Sequence, residues 1–173
     1  LDTPGILNMD PSRADALHRL VYAGHPLPSF VLPAEDVNQL RIMHGSCRKP
    51  HGIGRDMLSA LDTILEASIQ EGGDRPQQLF LTGDQIYADD VAGPLLFALM
   101  DAGHFLLEGT VEEVLPLVNA PASKLAPGER GGIVRNKAMF TTTTPQNHLL
   151  ALGEYAAMYL FAWSDVLWPD ELP

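Results

Sequence analysis

Residues 40–84 read LRIMHGSCRKPHGIGRDMLSALDTILEASIQEGGDRPQQLFLTGD. The stretch opens on Leu40, Ile42 and Met43, which read as a strand that breaks at Gly45. RKPHGIG follows, a loop by its Pro and Gly content. From Arg55 to Gly73 the apolar residues Met57, Leu58, Leu61, Ile64, Leu65 and Ile69 share one helical stripe. Asp56 falls in the first turn, where the helix dipole favours an anion, and Gly72-Gly73 end the helix. A second apolar run, QQLFLTGD, stops at Gly83-Asp84. Strand, loop, helix and strand in this order predict a βαβ unit with two parallel strands. Parallel strands send both carboxyl ends to one edge, where open α/β sheets bind ligands. Cys47 and Asp84, each just past a strand, are therefore expected to face one crevice.

Outward from this unit the elements are plainer. PSRADALHRLVYAG (11–24) predicts a short helix capped by Ser12, and HPLPSFVLPAED (25–36) a Pro-rich extended lead-in. VAGPLLFALMDAG (91–103) predicts a helix with Pro94 in its first turn. TVEEVLPLVN (110–119) predicts another, interrupted near Pro116. APASKLAPGERGG (120–132) reads as a linker-like loop and TTTTPQ as a turn. NHLLALGEYAAMYLFAWSDVLW (147–168) predicts one long helix, apolar on most faces and so buried. The expected organisation is a helix and lead-in over 1–39, then an α/β domain from 40 onward.

Bulk properties bound the function. The chain has 173 residues, 46% of them apolar, a globular composition with enough chain for one core. Its formal net charge is −11, which argues against a nucleic-acid or anionic-membrane surface. No apolar run approaches the roughly 20 residues of a membrane span. The first twenty residues carry no basic-then-apolar signal pattern. With a single cysteine, a disulfide framework and an all-cysteine zinc site are both excluded.

Three residue types stand out for chemistry. Asp84 at a strand end reads either as a metal ligand held on a rigid element or as a turn residue. Gly83 lets the backbone turn and lets a ligand approach closely. Tyr87, three positions on, reads either as a packed ring or as a phenol turned toward Asp84. Cys47 precedes Arg48 and Lys49, whose positive field favours thiolate. Thiolate, carboxylate and phenolate together would suit a highly charged transition metal. Arg48, Lys49 and His51 are the candidates for holding a phosphoryl oxygen. Asp89 and Asp90 read as solvated acids. His44 reads as a core residue or a support behind the site. Asn147-His148 reads as a satisfied helix start rather than a ligand pair.

GSCRKPHGIGRDMLSALD, LFLTGDQIYADD and NHLLALGEYAAMYLFAWSDVLW together resemble the PhoD-like (alkaline phosphatase D) branch of the metallophosphoesterases. The likeness covers most of residues 40–168, and the pairing of a post-strand Cys with G-D-x-x-Y is its most specific part. The resemblance implies the N-terminal part of a metallophosphoesterase α/β sandwich. It implies a hydrolase of phosphomonoesters or phosphodiesters, acting on a phosphorylated small molecule or a phosphodiester polymer. By position, Cys47 and Tyr87 would match the ligands of a ferric ion. Asp84 would match the catalytic aspartate bridging iron(III) to a second site, often calcium; another divalent metal would also serve. Members of the family are often exported. The family's downstream D-D-H motif and later Asp, Asn and His ligands are absent from this chain, so the resemblance assigns it half of a binuclear site. The alternative expectation is a catalytically inactive α/β domain that binds a partner.

Overall fold

The computed structural model describes residues 21–49, 52–71, 74–107, 113–164 and Trp168. The helix expected at 11–24 lies almost wholly outside the described residues. The chain is mixed helix and strand with a small parallel sheet. It divides into two compact units, Leu1–Gly45 with Ile53–Leu81, and Ser46–Gly52 with Thr82–Pro173.

The first unit is the βαβ motif. Strand β1 (Ile42–Gly45) and strand β2 (Gln78–Leu81) pair in parallel, with Ile42 opposite Gln78 and Gly45 opposite Leu81. Helix α1 (Leu58–Gln70) connects them. Asp56 stands two residues before the helix, its carboxylate accepting from the Leu58 N–H at 3.1 Å. Ahead of β1 a short 3-10 turn, Val37–Gln39, is capped by Asp36, whose carboxylate accepts from Asn38 N–H at 2.9 Å. The unit buries none of its described residues; Ile42, Leu79 and Phe80 remain about half exposed. Parallel strands are normally covered on both faces, so this small sheet supplies little core of its own.

The second unit holds the core. Helix α2 (Gly93–Leu106) has Pro94 in its first turn, where a missing N–H costs nothing. Its Leu96 and Leu99 are fully buried with Leu149, Val91, Ala157 and Phe161. Burying one such Leu contributes about 1.5–3 kcal/mol. The segment expected to be a helix over 110–119 is instead a small hairpin in its described part. Strands β3 (Val114–Leu115) and β4 (Ala120–Pro121) pair antiparallel. Pro116 has no N–H to continue a helix, and Asn119 takes a left-handed φ of 50° to close the turn.

The supposed linker is ordered too. A 3-10 turn, Ala122–Lys124, follows β4, and helix α3 (Gly131–Asn136) begins inside the glycine-rich stretch. The final helix, α4 (Leu152–Trp163), starts five residues later than expected. Pro145–Asn147 form a separate 3-10 turn and His148 is extended. No helix among the described residues is long and apolar enough to cross a membrane.

Candidate metal centre

The two segments that follow the parallel strands, Ser46–Gly52 and the stretch from Thr82, belong to the same unit. They are joined by a backbone hydrogen bond from Arg48 N–H to the Asp84 carbonyl, 2.9 Å. Gly83 makes the approach possible. A methyl group at its Cα would overlap Ser46 Oγ and Cys47 N, and would sit 2.6 Å from Cys47 Sγ. Only a residue without Cβ leaves room for the cysteine loop.

Cys47 is exposed and takes φ 55°, a conformation that costs a non-glycine residue about 1–3 kcal/mol. The surrounding bonds hold it there. Its sulfur lies 3.3 Å from Ser46 Oγ, and it is hydrogen-bonded by a backbone amide at Asp84 and by the Tyr87 hydroxyl. The Ser46 hydrogen bond is the chief reason the Cys47 thiol titrates below its ordinary value. The Asp84 amide and then Tyr87 add to it, against desolvation and the Asp84 charge. The Tyr87 phenol is shifted the other way. Partial burial raises it first, and the negative charges of Cys47 and Asp84 raise it further. The thiol is thus the more acidic of these two groups without a cation.

Sulfur and phenol therefore meet at one exposed spot, and the Asp84 charge acts on both. Residues 84–92 form bends rather than a helical turn, so Tyr87 meets the cysteine through loop geometry. Among the described residues no group of three or more His, Cys, Asp and Glu is placed to hold a metal. A cation at this spot would take the phenol oxygen as its third protein ligand, an anionic donor set that suits a highly charged transition metal.

The neighbouring charges are engaged. Arg48 lies over the Trp163 ring, 5.4 Å from its centroid, and donates to the Ala162 carbonyl at 3.3 Å. Lys49 pairs with Asp90 at 2.7 Å and stands over the Tyr87 ring at 5.2 Å. Asp90 is therefore not a merely solvated acid. Nor is Asp89, which is half-buried and accepts from Thr142 Oγ1 at 2.7 Å. His51 lies outside the described residues. His44 is exposed on β1 rather than part of a core.

Asn147 and His148 are occupied by packing. Asn147 donates to the Val91 carbonyl at 2.9 Å and accepts from Gly128 N–H at 2.8 Å. His148 is buried against Phe140, with Nδ1 2.6 Å from the Leu149 carbonyl. The polar feature not expected from sequence is a buried pair, Arg130 and Glu154, bonded twice at 2.8 Å. The available signal was a lone acid in the apolar run LLALGEYAAM. No protein-family model matches the chain, and neither does any curated protein or solved structure.

Proposed function

We propose that this chain carries half of the binuclear metal site of a PhoD-like phosphoester hydrolase. The observation that supports the reading is the contact of Cys47 with Tyr87, under the charge of Asp84, on the two segments that follow a parallel strand pair. Cys47, Asp84 and Tyr87 would hold iron(III). Asp84 would also reach toward a second, divalent ion, calcium on the family pattern. Bound metals would polarise a phosphoryl group and supply hydroxide at neutral pH. The chain's own part is to pre-arrange the ligands. Ser46 and the Asp84 amide hold the sulfur as an acceptor, and Gly83 lets the two segments meet. Tyr87 would give up its proton to solvent if a cation were bound by its oxygen. Arg48, Lys49 and His51, the last outside the described residues, are the groups proposed for a substrate phosphate.

The fold proposed is the first βαβ unit of a metallophosphoesterase sandwich. The half-exposed faces of β1 and β2 support it, since such strands are covered when the sheet is complete. The remaining ligands of the second metal are not in this sequence, so the chain alone is expected to show little or no hydrolysis of p-nitrophenyl phosphate esters. The deciding experiment is spectroscopic. Iron(III) added to the chain should give a visible phenolate charge-transfer band that Tyr87→Phe abolishes. No band in the wild type, or a band that survives Tyr87→Phe, sinks the reading and leaves the non-catalytic binding domain as its replacement.

A further inference from the structure

Two cations follow Cys47, and they are fixed in different ways. Arg48 turns toward the end of α4. Lys49 turns toward the segment that carries Asp84 and Tyr87. Its ammonium is 2.7 Å from Asp90 Oδ2 and 5.2 Å from the Tyr87 ring centroid. It is thus held at two points three residues apart on the facing segment. The Lys49 and Asp90 side chains are 37% and 40% exposed, so the ion pair alone contributes little stability. What the pair does is place a positive charge on the face of one particular phenol, the one whose hydroxyl meets the Cys47 sulfur.

We propose that Lys49, clamped by Asp90, is a positioning residue for Tyr87: it fixes the ring face and sets how strongly the phenol oxygen donates to a cation. The inference rests on the metal-site reading above. It gives Lys49 a task that acts through Tyr87, beside the contact with a substrate phosphate proposed above. An ammonium over the ring stabilises the donor electrons of a phenolate. Removing that charge raises them, and their transition to a ferric acceptor falls in energy.

The test uses the 173-residue chain with two readouts. Without metal, the Lys49 ε-methylene protons should be shifted upfield by the Tyr87 ring current, relative to those of exposed Lys137. The shift should vanish in Tyr87→Leu and shrink in Asp90→Asn. Unshifted protons in the wild type overturn the proposal. With iron(III) alone added, the charge-transfer band should move to longer wavelength in Lys49→Met and stay close to wild type in Lys49→Arg. A band unmoved in Lys49→Met also overturns it. If wild type binds iron(III) without any such band, the metal reading fails, and the proton shift alone decides whether Lys49 positions Tyr87. The three substituted side chains are all at least partly exposed, and circular dichroism checks that each variant folds.

Discussion

The Arg130 guanidinium, with no exposed surface, grips Glu154 through two hydrogen bonds of 2.8 Å. Arg130 also donates to the carbonyls of Leu125 and His148, both at 2.9 Å. Glu154 in turn accepts from the N–H groups of Leu150 and Ala151, which precede α4. Loop, imidazole-bearing turn and helix start are thus tied to one ion pair. Each buried charge has a partner, which is the condition under which such a pair is tolerated.

Removing one member leaves the other charged and buried. Glu154→Leu is expected to destabilise the chain by about 3–5 kcal/mol. The double replacement Arg130→Met with Glu154→Leu should cost much less, because no unpaired charge remains. The residual loss would reflect the uncapped start of α4, roughly 1 kcal/mol. Urea unfolding of the two variants checks this. Equal losses in both would show that packing, not the unpaired charge, sets the cost.

The cysteine loop depends on the missing side chain of Gly83. In Gly83→Ala the new methyl overlaps Ser46 Oγ and Cys47 N, one of them backbone. The loop must move, and the contact between Tyr87 and the Cys47 sulfur should go with it. The core lies elsewhere in the unit, around Leu96, Leu99 and Leu149, so folding should survive. The measurement is iron(III) binding by the folded variant, expected to be lost. Binding at wild-type strength would show that the close approach does not matter.

Thiol reactivity reads the same site without metal. The Cys47 thiol is held below its ordinary value, first by the Ser46 hydrogen bond and least by Tyr87. A lowered value means that thiolate persists to lower pH, so the alkylation rate should reach half its maximum at a pH below that of a free thiol. Ser46→Ala should move that midpoint up. Tyr87→Phe should move it up by less. A profile for wild type that coincides with a free thiol, or a larger effect from Tyr87→Phe, contradicts the arrangement.

Much of this site was legible because it is local. Two apolar runs with a striped helix between them imply parallel strands, and parallel strands bring Cys47 and Asp84 together. Tyr87 was legible in position but not in cause, since it sits in a loop between bends and not on a helical turn. Arg130 was not legible. In APGERGG it has the company of a surface residue, and its partner lies 24 positions away. The hairpin around Pro116 failed for a related reason. Its acids and leucines have helical spacing, and Pro116 with the left-handed turn at Asn119 overrides that pattern. Nothing in the composition distinguishes an acid such as Asp90, paired across a site, from one left in water.

The last prediction concerns the crossing of α2 and α4. Gly103 and Gly153 meet backbone to backbone. A methyl on Gly103 would lie 2.5 Å from the Gly153 carbonyl carbon and 2.9 Å from Glu154 N. Neither is the end of a flexible side chain, so the helices must separate. Gly103→Ala should destabilise by about 1–3 kcal/mol, the usual cost of overpacking. Gly132 is the internal contrast. A methyl there meets nothing within 4 Å, and the residue lies in α3. Gly132→Ala should stabilise by about 0.4–1 kcal/mol, by restricting the unfolded chain. At about 2–4 °C per kcal/mol for a chain of this size, thermal melts should separate the two variants in opposite directions from wild type. A Gly103→Ala melt at or above wild type would mean that the two helices do not cross through these glycines.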